Sequence, residues 1–196
     1  MYALPTSITI DGKDYAVRNQ GDFRTVLDCF ETLDTIELTK EERILTCLII
    51  FYDGMETVDD LAVFPSLIEA YEKMVWFFNC GEESIGNQSN YKLIDWQKDA
   101  SLLYSAINNV AQKEVRNEEY LHWWTFMGYY LAIGECSLSH IISIRGKRAK
   151  GKKLEKYERQ FVQENPQYFW NNQTVEQQEL DAEIRKMWEN GGTLDG

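Results

Sequence analysis

Residues 120–153 read YLHWWTFMGYYLAIGECSLSHIISIRGKRAKGKK, an apolar, aromatic-dense run that passes into the chain's strongest basic cluster. Between Leu121 and Ile133 apolar residues fall on every side of a helix, and a helix apolar all round is normally buried. The stretch therefore predicts a core helix at about 117–134, followed by a shorter one over 137–146. A second reading stays open here, in which Trp123, Phe126 and Tyr130 line a groove for an apolar partner segment.

Working outward, helical spacing dominates. Asp22 is placed to cap FRTVLDCFETL, whose Phe23, Val26, Leu27 and Phe30 recur at intervals of three and four. Thr39 and Glu42 make a capping box before ILTCLIIFY. Val58–Phe64 is a short connector, and Pro65 fits the first turn of SLIEAYEKMVWFFNC, which ends near Gly81. GEESIGNQSNY (81–91) reads as a loop, and a further helix is expected at about 93–113. Lys153–Glu164 predicts a charged helix with Leu154, Tyr157 and Phe161 on one side, stopped by Pro166.

The amino terminus differs. TSITIDGKDYAVR (6–18) alternates apolar and polar residues around Asp11-Gly12, a strong hairpin signal that puts Ile8, Ile10, Tyr15 and Val17 on one face. A lone hairpin is marginal in water, so that face must pack on helices. The expected fold class is mostly α: a single helical-bundle domain over residues 1–170, with the short hairpin packed on it. An acidic tail over 171–196 follows, either a weak amphipathic helix through Val175, Leu180, Ile184 and Trp188 or disordered.

The composition agrees with a folded core. Of 196 residues, 44% are apolar and 13% aromatic, and only three are proline, which leaves long segments free to be helical. The opening MYALPTSITI has neither the basic nor the apolar region of a signal peptide, and no run approaches a membrane span. Four widely spaced cysteines (Cys29, Cys47, Cys80, Cys136) are expected to be reduced thiols.

No catalytic signature is found. Cys136 and His140 stand one turn apart, but a structural zinc needs four ligands and usually a second close pair. Asp95 and Asp99, and the adjacent Glu118 and Glu119, are carboxylate pairs of a kind that chance supplies on an acidic chain, and solvated faces are expected for them. RGKRAKGKK lacks the spacing of a phosphate-binding loop. No cofactor, metal or enzymatic activity is expected.

Charge is uneven. The net charge is −12, yet residues 145–159 hold eight Lys/Arg against two Asp/Glu. The cluster can be a solvated linker, a docking site for an acidic protein surface, or a nucleic-acid contact. The acidic field of the rest disfavours the last. Docking would use Arg145, Lys147, Arg148, Lys150, Lys152 and Lys153, and the acidic amino-terminal third offers self-association as one route.

Three segments, DWQKDASLLYSAINN (95–109), LHWWTFMGYYLAI (121–133) and IRGKRAKGKKLEKYERQF (144–161), resemble the bacteriophage gene product fifteen family of tailed phages and prophages of Gram-positive bacteria. The likeness spans roughly residues 2–170 and leaves out the acidic tail. It implies a non-catalytic role in tail morphogenesis within the host bacterial cytoplasm. The implied role is that of a tail assembly chaperone, with the tape-measure protein and other tail assembly proteins as partners. A structural part of the mature tail, such as a connector or tube-end protein, is the alternative.

Overall fold

The computed structural model describes residues 3–82 and 92–169. The described residues hold one two-stranded antiparallel sheet and seven α-helices, as the patterning predicts. They cluster into two units. One contains residues 3–82 and 118–128, the other residues 92–117 and 129–169. The expected loop over 81–91 lies outside the described residues apart from its first two positions, and the expected tail helix over 171–190 lies wholly outside them.

In the first unit, β1 (Ser7–Ile10) and β2 (Lys13–Ala16) pair with Ile8 opposite Tyr15 and Thr9 opposite Asp14. Asp11 and Gly12 have φ of 47° and 74°, the left-handed pair that a two-residue hairpin turn requires. Ile8, Ile10, Tyr15 and Val17 are all buried, and the Tyr15 hydroxyl donates to the Val63 carbonyl at 3.0 Å. The hairpin is thus the lid of a helical core.

Three helices supply that core: α1 (Phe23–Asp34), α2 (Lys40–Phe51) and α3 (Leu67–Phe78). Asp22 caps α1 by accepting the Arg24 N–H, and Thr39 with Glu42 forms the expected capping box on α2. At the other end of α2, the Arg18 side chain donates to the carbonyls of Ile49, Ile50, Tyr52 and Met55, satisfying the acceptors that every helix leaves open at its end. Cys29 and Cys47 are fully buried, and each thiol points at the other residue's carbonyl, at 3.7 and 3.3 Å. Burial pushes the Cys29 thiol well above its ordinary value, so it behaves as a small apolar residue.

Pro65 does not open α3. Ser66 caps that helix by accepting the Glu69 N–H, and Pro65 stands one residue outside. The helix ends in a Schellman motif, in which Gly81 N–H reaches Trp76 O and Cys80 N–H reaches Phe77 O. Cys80 itself takes the left-handed conformation there, at φ 56°.

In α5 (Trp123–Leu131) the two indoles of the Trp-Trp pair complete the same helix end. Trp123 Nε1 donates to Phe78 O and Trp124 Nε1 to Phe77 O, each at 2.9 Å. Phe126 stacks on Phe23 with ring centres 4.5 Å apart. Gly81 is needed at this junction, since a Cβ there would come within 2.8 Å of the Trp124 ring. The helix starts at Trp123 and not near 117, because Leu121 and His122 pair with Asp22 and Phe23, with Phe23 N–H bonded to Leu121 O.

The second unit contains α4 (Ala100–Ala111), α6 (Ser137–Ala149) and α7 (Lys156–Glu164). All three depart from the expected boundaries for local reasons. Residues 95–99 fold into a turn, with Asp95 Oδ1 accepting Lys98 N–H and Asp99 Oδ2 accepting Asp95 N–H, so α4 starts seven residues after position 93. Gly146 lies within α6, which continues to Ala149. Glu155 stands at the N-cap of α7 and moves its start past Lys153. Ile141, Ile144 and Phe169 form one buried cluster of this unit, with Leu102, Leu154, Phe161, Val162 and Tyr168 packed against it.

Candidate functional site

The basic cluster begins with an interior residue. Arg145 is 2% exposed and its guanidinium forms a two-pronged pair with the fully buried Asp99, at 2.6 and 2.9 Å. The remaining donors are also used, reaching Leu93 O at 2.8 Å and Tyr168 O at 2.9 and 2.6 Å. One side chain therefore ties α6 to the turn before α4 and to the segment that ends at Phe169. A planar fork with five donors suits this task, whereas a lysine ammonium does not.

Two residues further on, Lys147 Nζ meets Glu158 Oε1 of α7 at 2.5 Å, and Glu158 Oε2 accepts the Glu155 N–H. The Lys147 contact, followed by the Glu155 bond, holds the Glu158 carboxyl below its usual range, and the same contact raises the Lys147 ammonium. Lys147 thus serves mainly to fasten α7 against α6.

The end of α6 aims the rest. Gly151, at φ 63°, is the left-handed residue of a second Schellman motif, with Lys152 N–H on Lys147 O at 2.8 Å and Gly151 N–H on Arg148 O at 3.0 Å. The GKRAKGKK spacing is thereby explained: its second glycine turns the chain. Arg148, Lys150, Lys152 and Lys153 are exposed around this turn, and the Arg148 guanidinium stands 5.9 Å from the centre of the Phe169 ring. Cations at a helix carboxy terminus also sit favourably against its dipole. Such a group can hold carboxylates by charge-assisted hydrogen bonds.

The sequence-predicted site residues therefore separate. Arg148, Lys150, Lys152 and Lys153 come together on one exposed turn. Arg145 is corrected from the docking set to an interior tie, and Lys147 to a half-buried partner of Glu158. Trp123 and Phe126, at 1% and 0% exposure, are core residues of the other unit and present no groove wall. Tyr130 is half-buried with its ring 5.7 Å from that of Trp96, and burial followed by the Asp99 charge raises its hydroxyl.

The expectation of solvated faces for Asp95 and Asp99 is overturned, since both are buried. Their four-residue spacing could have signalled a turn with a buried cationic partner, but nothing in the spacing points to Arg145. His140 packs its ring against Tyr157 and Phe161, and Cys136 stands at the N-cap of α6. Among the described residues no three His, Cys, Asp or Glu side chains gather as a metal-ligand set, and no helix is long and apolar enough to cross a membrane.

No curated protein and no solved structure matches this chain. A family model does: that of the bacteriophage Gp15 protein, which matches residues 2–169 and stops where the acidic tail begins. The match covers both described units, including the Trp-Trp pair and the whole basic turn. The chain belongs to the bacteriophage Gp15 protein family and is a phage structural or morphogenesis protein.

Proposed function

We propose that this protein is a tail assembly chaperone that acts on the tape-measure protein through protein–protein contact. The observation that carries the reading is the basic turn after α6. Four exposed cations are held by an interior frame of Arg145 with Asp99 and Lys147 with Glu158, on a chain whose net charge is −12. Preorganised cations on an acidic molecule favour acidic polypeptide segments over nucleic acid, because phosphate polymers meet repulsion from the remaining surface. A long helical partner with acidic stretches has the chemistry this turn can grip, and the phage setting comes from the family.

A chaperone leaves once assembly is complete. Mass spectrometry of purified virions therefore tests the reading: the protein should be absent from mature particles while abundant in lysates of assembling cells. Recovery from virions in a defined copy number would instead make it a tail component, such as a connector or tube-end protein.

A further inference from the structure

The two units differ in charge. Residues 3–82 and 118–128 carry eighteen Asp/Glu against six Lys/Arg, whereas residues 92–117 and 129–169 carry twelve Lys/Arg against seven Asp/Glu. The acidic excess peaks at the corner between α1 and α2. There Asp28, Glu31, Asp34, Glu37, Glu41 and Glu42 are all exposed, and Lys40 is the only base among residues 28–42. Between them stands Ile36, at 81% the most exposed large apolar side chain among the described residues. The corner is braced from inside, since the Arg43 side chain donates to Leu38 O at 3.0 Å and to Leu33 O at 3.3 Å.

The basic turn has a matching make-up. Among residues 145–159 Glu155 alone adds an exposed carboxylate, against the exposed Arg148, Lys150, Lys152, Lys153, Lys156 and Arg159. Beside them Tyr157 is 61% exposed, with its ring stacked on that of His140 at 6.2 Å between centres. Each patch is thus an uncovered apolar side chain within a rim of one charge sign, and the two signs are opposite. Protein interfaces place an apolar centre within a polar rim, and opposed potentials select the partner. The chain carries both halves of such a pair, so the partner that fits each half is another copy of this chain.

We propose that this chain associates with itself head to tail: the α1–α2 corner of one copy seats on the basic turn of the next, with Ile36 against Tyr157 and the surrounding carboxylates paired to Arg148, Lys150, Lys152 and Lys153. Unlike patches joined in this way leave one of each kind open at the ends, so copies add one after another. An acidic partner segment and the corner compete for the same turn. The proposal concerns the purified protein and does not rest on the tape-measure reading.

Sedimentation velocity of the full chain tests it without any partner. Association should rise with protein concentration in about 0.01 M salt and weaken about tenfold or more in about 1 M salt, where screening shortens from about 30 Å to about 3 Å. Reversal of the corner (E31K, E37K and E41K) should leave monomers, and so should reversal of the turn (K150E, K152E and K153E), each with a melting temperature close to that of the parent protein. An equimolar mixture of the two variants should associate again, because the intact turn of one then meets the intact corner of the other. Ile36→Ala should weaken self-association of the parent protein by about tenfold with the fold unchanged. A parent protein that stays monomeric at every concentration would overturn the proposal. So would oligomers that both reversals leave intact, or variants that remain monomeric when mixed.

Discussion

Asp22 and His122, a hundred residues apart in sequence, face each other across an antiparallel bridge, and each stands at the amino end of a helix. Asp22 Oδ1 accepts the Arg24 N–H at 3.0 Å and its Oδ2 accepts the Leu121 N–H at 2.9 Å. His122 Nδ1 accepts the Trp124 N–H at 3.0 Å, and its carbonyl receives the first bond of α5 from Phe126. The hairpin side and the Trp-Trp helix are thus started from one junction.

Asp22→Ala should remove the helix cap and the Leu121 bond, together with the ion pair to Arg24. Loss of a helix cap costs about 0.5–2 kcal/mol and an unpaired buried N–H about 1–3 kcal/mol, so a total near 2–4 kcal/mol is expected by urea denaturation. Asp22→Ser keeps a capping oxygen but cannot reach Leu121, and should recover about 1 kcal/mol of the loss. Equal stabilities for the two variants would show that the cap contributes nothing.

His122 must be neutral in this junction. With Nδ1 accepting from Trp124, the ring proton sits on Nε2 and is donated to Pro5 O at 3.0 Å. Burial lowers the affinity of this ring for a second proton, against smaller opposing effects of the Pro5 carbonyl and the Asp22 charge. A depressed histidine is protonated more readily in the unfolded chain. Its contribution is therefore full above the ordinary value of 6.5 and declines as the pH falls below it. Stability measured between pH 7.5 and about 5 should fall with acid, and His122→Asn, which retains a capping group, should flatten that slope.

Arg145→Met should cost about 3–5 kcal/mol, because the Asp99 carboxylate stays buried without its partner. Adding Asp99→Leu should restore only part of this, since the Leu93 and Tyr168 carbonyls still lack their donor. A double variant as stable as the parent protein would mean that these carbonyl contacts are expendable.

Reversal of the exposed cations should behave differently. Arg148, Lys150, Lys152 and Lys153 changed to Glu should each cost under about 0.5 kcal/mol, as surface substitutions do. Lys147→Glu should lower the melting temperature more than any of these, because it sets a carboxylate beside buried Glu158. A common effect of all five would place Lys147 back among the surface residues.

Much of the fold was legible wherever a short-range rule governed it. Asp11-Gly12, the Asp22 cap and the Thr39–Glu42 box each declare themselves within a few residues, and all three are present. Elements governed by distant partners were not legible. The late start of α5 depends on pairing of Leu121 and His122 with Asp22 and Phe23, and that of α4 on a turn locked by Asp99 beneath Arg145. The site was half legible for the same reason. Composition located the basic cluster, but only the contacts across 46 and 11 residues separate Arg145 and Lys147 from the four cations that reach outward.

We propose that this phage protein holds the tape-measure protein through its basic turn. Co-expression of the two chains, with affinity capture on this one at low salt, tests it most directly. A soluble complex of fixed stoichiometry should form, and the Arg148, Lys150, Lys152 and Lys153 reversal should abolish it while leaving the fold intact. A tape-measure protein that stays insoluble and uncaptured, or a complex indifferent to that reversal, would contradict it.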